Sequence, residues 1–486
     1  MDGVNPRFTF TDPVPSVAEL GRVHLIAIGG AGMSAVARLL LARGVPVSGS
    51  DAADGPTLAA LRDSGARVHV GHDRAHVGEV DTVVISSAIR DDNVELAAAR
   101  AAGLRVLHRS QALASLMADA RRVAVAGANG KTTTTSLLVV ALVEAGADPS
   151  FASGGEIAQL GTNAALGSGP VFVVEADESD GSFLVYRPHV AVVTNVQPDH
   201  LDFYGSVEAV EQAYAAFATS VPEGGLLVAC SDDPGARALV DAALAAGRRV
   251  VTYGYDEGAD LRVVGTTSQG LGTTSGLALD GTERTLRLAV PGAHNVLDAC
   301  AAYLAAVVGL GAEPDAVLEG LAGFLGARRR FEVRGTVGGV TVVDDYAHNP
   351  PKVAAVVGTA AEIVRRRGDG RLHVVFQPHL YSRTRDFARE FARALAPADT
   401  VVLLDVYGAR EEPVPGVDSA LIGAPLGELP GDRDILVGAS PEAAVAAVVA
   451  AARPGDLVIT VGAGDVTRLA PRVLEALADH AGGGAP

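Results

Sequence analysis

Arg122-Val-Ala-Val-Ala-Gly-Ala-Asn-Gly-Lys-Thr-Thr-Thr-Thr135 is the stretch whose reading decides the fold. An apolar strand-like run leads into a loop of small residues, and a run of hydroxyls carries the chain on into a helical pattern. Only two of the 39 basic side chains are lysines, and one of them is Lys131. In a chain that writes nearly every cation as arginine, a lysine at this place points to a phosphate. Small residues from Gly127 to Gly130 let backbone N–H groups curl round a triphosphate, and Lys131 reaches the terminal phosphoryl oxygens. Thr132 opens a helix whose N-terminus favours an anion and whose hydroxyl suits magnesium. The loop is shorter than the general pattern, because Val125 stands where the first glycine is expected and Gly127 takes over. The plainer reading is a helix start that glycine and threonine merely cap.

Outward from this stretch, short β-branched runs alternate with Ala- and Leu-rich helical stretches, which predicts parallel α/β sheets. The runs 23–28, 45–48 and 81–86 read as strands of a first domain, residues 1–119. Runs 122–126, 171–175, 190–194 and 225–229 belong to a central domain, residues 120–330, with antiparallel hairpins from Leu261 to Val290 and a helix from Ala293 to Leu310. Runs 340–343, 372–376, 400–404 and 457–461 make a third domain, residues 331–486, whose tail from Ala481 to Pro486 is expected to be disordered.

Composition bounds the function. At 486 residues the chain exceeds one core. Its formal charge of −18 excludes the basic footprint of a general nucleic-acid binder. Cys230 and Cys300 are far apart and read as buried small hydrophobes in a reducing compartment. The N-terminus lacks a targeting segment, and no run is expected to approach membrane-spanning length, which together predict a cytoplasmic protein without membrane insertion.

Further motifs fall at strand ends. Gly29-Gly-Ala-Gly-Met-Ser-Ala35 follows the first strand, and Asp51 lies about 20 residues downstream of Gly30, a pattern that fits a nucleotide diphosphate on a helix N-terminus. An NAD-dependent oxidoreductase would read the same here, but hydride transfer has no use for the second phosphate loop. Glu175-Ala-Asp-Glu-Ser-Asp-Gly-Ser182 supplies hard oxygen ligands, with Glu175 placed to share magnesium with Thr132, and Thr194-Asn-Val-Gln-Pro-Asp-His-Leu-Asp202 puts His200 on the same rim.

These segments, with Arg329-Arg-Phe331, Asp344-Asp-Tyr-Ala-His-Asn-Pro350, Phe376-Gln-Pro-His-Leu-Tyr-Ser-Arg-Thr-Arg385 and Asp405-Val-Tyr-Gly-Ala-Arg-Glu-Glu412, occur in the order found in the Mur ligases, which the chain resembles from about Val23 to Asp465. The resemblance implies a Rossmann-like N-terminal UDP-binding domain, a central P-loop-type ATPase domain with a mixed sheet, and a Rossmann-like C-terminal domain that closes over both. It implies an ATP-dependent amide ligase in which ATP, as co-substrate, phosphorylates the lactyl carboxylate of UDP-N-acetylmuramate and L-alanine then attacks the acyl phosphate. Two Mg2+ ions and a monomer or weak homodimer are expected.

Carried over residue by residue, the likeness assigns ATP to Gly127, Asn129, Gly130, Lys131, Thr132, Thr133, His294, Asn295, Arg330 and Asp345. It assigns metal to Thr132, Glu175 and His200, and the UDP-sugar to Gly30, Ala31, Gly32, Met33, Ser50, Asp51, Ser86 and Ser87. The amino-acid pocket falls to Tyr346, His348 and Arg383, and Lys131, Glu175, His200, His348 and Arg383 make the catalytic set, with His348 and Asp345 as candidate bases. Other branches carbamylate a lysine beyond the Asp-His motif, and residues 201–230 here contain none. The departures are Ala128 and Asn129 in place of a threonine and a histidine, Asp298 in place of an asparagine, and Leu380 where many relatives carry arginine. A ligase that adds a recycled tripeptide, or a catalytically impaired nucleotide-binding paralogue, are the alternative readings.

Overall fold

The computed structural model describes residues 7–368, 370–409 and 411–482. It has a three-domain α/β architecture, one sheet to each domain. Two compact units result: residues 1–268 with 272–325, carrying the first two sheets, and residues 269–271 with 326–486, carrying the third.

The first sheet runs Arg67–Val70, Val47–Asp51, Val23–Ile26, Thr82–Ile85, Arg105–His108, all parallel. Its order turns back at Val23–Ile26, so the loop after that strand opens at a switch point, where α/β sheets bind ligands. The ten-stranded second sheet centres on Arg121–Ala126, flanked by Val190–Val193 and Val171–Glu175, both parallel to it. Val190–Val193 is buried throughout, which is why it reads as a continuous apolar run rather than an alternation. On one side follow Leu226–Cys230 and Arg249–Gly254, then the hairpin strands Leu261–Gln269, Gly272–Leu279 and Thr282–Leu288; on the other lie Ser150–Ile157 and Thr162–Ala165. One hydrophobic core runs continuously from the first sheet's helix Ala31–Ala42 into the second sheet.

In the second unit the order is Glu332–Val337, Val340–Asp345, Leu457–Val461, Leu372–Phe376, Thr400–Leu404, Asp434–Ala439. The first pair is antiparallel and the rest parallel, with a core on each face.

The strands expected from sequence are present within a few residues, and the hairpins fall inside 261–290 as expected. Most strands that sequence did not mark lie at sheet edges or are interrupted by glycine; Arg249–Gly254, inside the second sheet, is an exception. Arg67–Val70 has no buried residue, Asp434–Ala439 has one, and Ser150–Ile157 carries Gly154 and Gly155. One expectation is corrected. The segment Ala293–Leu310 is an 18-residue helix apolar enough to span a membrane by length and composition, but 67% of it is buried within the protein. It passes from an α-helix into a π-helical turn at Ala305–Leu310. Both cysteines are free and buried. The expected disorder of the tail falls on Gly483–Pro486, which lie outside the described residues, while Leu469–Gly482 is helical.

Candidate active site

After Arg121–Ala126 the chain turns through Gly127 at φ +138°, where a Cβ would sit 2.0 Å from the Thr194 hydroxyl, so only glycine fits. It enters the helix Lys131–Glu144 from Gly130, and no side chain caps the helix start. The loop is braced from the next strand. Thr194 Oγ1 donates to Asn129 O at 2.5 Å, Asn195 Nδ2 donates there at 3.0 Å, and Asn129 N donates to Asn195 Oδ1 at 2.9 Å. The Asn129 side-chain amide donates to Gln197 Oε1 at 3.0 Å, so this departure stiffens the loop from its own side. Ala128 is buried beneath it.

Lys131 Nζ donates to Gly127 O at 2.6 Å and forms an ion pair with Glu178, 2.9 Å from Oε1 and 2.8 Å from Oε2. Burial pushes the Glu178 carboxyl above its ordinary range and Lys131 opposes it. Burial works against the Lys131 charge, but Glu178, Asp177 and Glu175 outweigh it and hold the ammonium above its ordinary value. The phosphate lysine is thus held charged by a buried carboxylate. His200, at φ +55°, places Nε2 3.7 Å from the same Glu178 and 3.9 Å from Asp199. One residue after Lys131, Thr132 Oγ1 donates to Glu175 Oε1 at 3.1 Å, and Gly154 N donates to the other Glu175 oxygen at 2.6 Å. Among the described residues no cluster of three or more His, Cys, Asp or Glu could by itself hold a metal. A hydroxyl and a carboxylate side by side at a phosphate loop nevertheless match the hard-oxygen, substrate-completed coordination that magnesium prefers.

Thr133 is half-buried in the same helical turn. Thr134 donates to Asp298 Oδ1 at 3.0 Å, and that oxygen lies 2.4 Å from where a Gly130 Cβ would be. Asp298, itself buried, therefore backs the phosphate loop from behind Gly130. It belongs to the helix Ala293–Leu304, which also carries the exposed His294 and the buried Asn295, whose amide donates to Pro291 O at 2.6 Å.

At the first sheet, Gly29 N donates to Asp51 Oδ2 at 2.9 Å, and Gly30 starts the helix Ala31–Ala42 without a side-chain cap. Asn163 of the second sheet donates to Ala31 O at 3.1 Å. Met33 packs into the core, and the Ser50 hydroxyl is buried at 2.5 Å from Glu95 Oε2. Glu95 is itself fully buried against His24, His72 and His76; burial opposes its charge, but His24, Ser50 and His76 outweigh it and hold the carboxyl down at about 2. Ser86 is half-buried after Thr82–Ile85, and Ser87 donates to Asp180 Oδ2 at 2.5 Å.

Sequence reasoning passed over how the segment 175–182 joins the two sheets. Glu178 holds Lys131, Asp177 pairs with Arg109 at 3.0 Å, and Asp180 lies 3.2 Å from His108 Nε2. Glu178 lies within the acidic motif, and asking what neutralises the lysine would have found it. Nothing in the sequence pairs Arg109 with Asp177, 68 residues on.

In the second unit, both Asp345 oxygens accept backbone N–H bonds at 2.7 Å, from Phe331 and Ala347; burial raises this carboxyl to about 6 against the pull of Arg330. The guanidinium carbons of Arg329 and Arg330 lie 4.7 and 5.4 Å from the Tyr346 ring centre. His348 Nδ1 is 2.8 Å from Tyr346 O, and burial pushes the imidazole down to about 3, so it is neutral near pH 7. Arg383 donates to His348 O at 3.3 Å, and the His379 ring packs between His348 and Tyr407. Tyr346, His348 and Arg383 are thus gathered in one place, with Leu380 at φ +69° starting the helix that carries Arg383.

The chain matches the Mur ligase family catalytic domain over residues 22–121, the Mur ligase middle domain over 125–306 and the Mur ligase glutamate ligase domain over 329–464. It is 57% identical to the UDP-N-acetylmuramate–L-alanine ligase of Kineococcus radiotolerans, covering 96% of this chain and 98% of that one. It is 54% identical to the enzyme of the same name from Paenarthrobacter aurescens, over 96% and 99%. Among solved structures it resembles the UDP-N-acetylmuramate-alanine ligase of Thermotoga maritima, with a TM-score of 0.79, 30% identity, and 93% and 98% of the two chains covered. With its three domains matched in order and its relatives matched end to end, the chain belongs to the Mur ligase family.

Proposed function

We infer that this protein is an ATP-dependent ligase that joins L-alanine to UDP-N-acetylmuramate, the first amino-acid addition in peptidoglycan precursor synthesis. The observation that carries the inference is the rim where Lys131, Thr132, Glu175, Glu178 and His200 converge, within the unit that also holds the glycine loop at Gly30. In this reading the γ-phosphoryl group passes to the lactyl carboxylate, releasing ADP. The amine of L-alanine attacks the acyl carbon, phosphate leaves, and the amine loses a proton. Both reactants are anions, so the protein's task is to neutralise and align them.

Lys131 exchanges Glu178 for the terminal phosphates, with the loop residues Gly127, Asn129, Gly130, Thr132 and Thr133 around them. Thr132 and Glu175 hold magnesium, with His200 at a second ion, and the metal when bound supplies charge neutralisation at the transferred phosphoryl group. His294 and Asn295 take the adenosine end, while Gly30 to Gly32, Asp51, Ser86 and Ser87 take the UDP-sugar. Tyr346, His348 and Arg383 take L-alanine, with His348 neutral beside the amine. Domain boundaries after residues 119 and 330, a monomer or weak homodimer and a cytoplasmic location complete the reading. Preference for L-alanine over a tripeptide is supported by relatives named for L-alanine.

Purified protein is expected to release phosphate and ADP only with ATP, magnesium, UDP-N-acetylmuramate and L-alanine all present. Equal release without the amino acid, or a tripeptide outcompeting L-alanine, would overturn the reading.

A further inference from the structure

The cations of two anion sites hang on neighbouring residues. Glu178 holds Lys131 of the phosphate loop, and Asp177, one residue earlier, holds Arg109. Arg109 is the first residue of the helix Arg109–Leu116 and projects back over the glycine loop. Its Nη2 bonds Asp177 at 3.0 Å, while its Nη1 lies 2.4 Å from the point a Cβ of Gly32 would occupy. The guanidinium fork is therefore split: one nitrogen is fixed by a carboxylate, and the other is laid against the opening turn of Ala31–Ala42. That turn starts at Gly30 with no side-chain cap, so its backbone donors and the second guanidinium nitrogen face the same space. Arg109 keeps about a third of its side chain exposed, which leaves it reachable from that space.

We propose that Arg109 is a binding residue for the diphosphate of the nucleoside-diphosphate sugar, and that Asp177 is the positioning residue that aims it. The proposal rests on the reading of the glycine loop as the sugar-nucleotide site. It gives the glycine at 32 a role: a Cβ there would displace the guanidinium from its place over the turn. A planar fork, one arm anchored and one free, is the geometry in which arginine binds phosphate oxygens with little ordering cost. It also means that a single short loop, through adjacent carboxylates, sets the cation of each substrate's phosphates.

The test is titration calorimetry and competition binding of UDP and of uridine to wild type, Arg109→Ala, Arg109→Lys and Asp177→Asn, with ATP binding as the internal control. Arg109→Ala is expected to weaken UDP about 10- to 100-fold, the loss of a charge-assisted hydrogen bond, while uridine and ATP change less than about threefold. Arg109→Lys is expected to recover part of the loss, and Asp177→Asn to weaken UDP by a smaller factor than Arg109→Ala. In steady state Arg109→Ala raises KM for the sugar nucleotide and leaves kcat at saturation nearly unchanged. Equal weakening of UDP, uridine and ATP would mark Arg109 as merely structural and overturn the proposal, as would unchanged UDP affinity. If wild type binds ATP but no UDP at all, the reading of the glycine loop falls, and this proposal with it.

Discussion

Replacing Lys131 with methionine leaves Glu178 facing the core without its counter-charge. The carboxylate is only 3% exposed, and stripping one partner from a buried ion pair costs roughly 3–5 kcal/mol if the other stays charged. Glu178 has an escape, because burial already pushes its carboxyl above the ordinary range, and without Lys131 the largest influence opposing that push is gone. The variant's Glu178 therefore takes up a proton. A group whose folded pKa is raised contributes stability that is complete below its unfolded value, 4.5, and lost as pH rises through the folded value. The deficit of Lys131→Met against wild type should accordingly be small near pH 5. It should widen with pH by at most about 1.4 kcal/mol per unit, up to the ceiling of the unpaired charge. Urea unfolding by circular dichroism, without nucleotide or metal, at intervals from about pH 5 to 8.5 reads this directly. Adding Glu178→Gln should remove the pH dependence and bring stability to within about 1 kcal/mol of wild type. It should not restore ligation, since the second substitution repairs the charge balance and not the phosphate contact. A deficit that is flat with pH, or untouched by Glu178→Gln, would refute the pairing as the source.

Four other outcomes follow from the same contacts. Thr132→Ala and Glu175→Gln should each lower kcat about 10²- to 10³-fold with the fold intact, and shift the magnesium titration of activity to higher concentration. Arg383→Ala should raise KM for L-alanine about tenfold or more with little change in KM for ATP, measured by coupled ADP release. His348, pushed down to about 3, should add no inflection to the kcat profile between pH 5 and 8, and an inflection there that disappears in His348→Gln would contradict its neutrality. Glu95, held near 2 instead of 4.5 among three histidines, contributes up to about 3 kcal/mol that is present above pH 4.5 and lost as pH falls toward 2. Glu95→Gln should therefore be destabilised at pH 7 in thermal melts, by an amount that shrinks below pH 4.5.

Much of this architecture was legible in the chain because its chemistry is local. Phosphate binding needs glycines, a lysine and a hydroxyl within six residues, and Gly127 to Thr132 supply them in one turn. The strands Val171–Glu175, Leu372–Phe376, Thr400–Leu404 and Leu457–Val461 were read to the residue, since buried parallel strands are apolar throughout. What escaped was pairing at a distance. Glu178 with Lys131, Asp177 with Arg109 and Asp180 with His108 each join residues tens of positions apart, on strand ends that only the sheet order brings together. The partner of Asp298 escaped for the same reason: sequence places it one turn after Asn295, but does not show that it receives Thr134 beside Gly130. Ser50 lies in the strand Val47–Asp51 and Met33 in the helix Ala31–Ala42, and both side chains are buried, which sequence spacing did not reveal.

The central claim is that the rim at Lys131 moves a phosphoryl group onto a carboxylate before the amide forms. Its most direct measurement uses UDP-N-acetylmuramate labelled with oxygen-18 in the lactyl carboxylate, with mass analysis of the phosphate released during ligation to L-alanine. One labelled oxygen carried from carboxylate to phosphate in each turnover is the predicted result. Phosphate bearing no label, in a reaction that still yields the alanyl product, would contradict it.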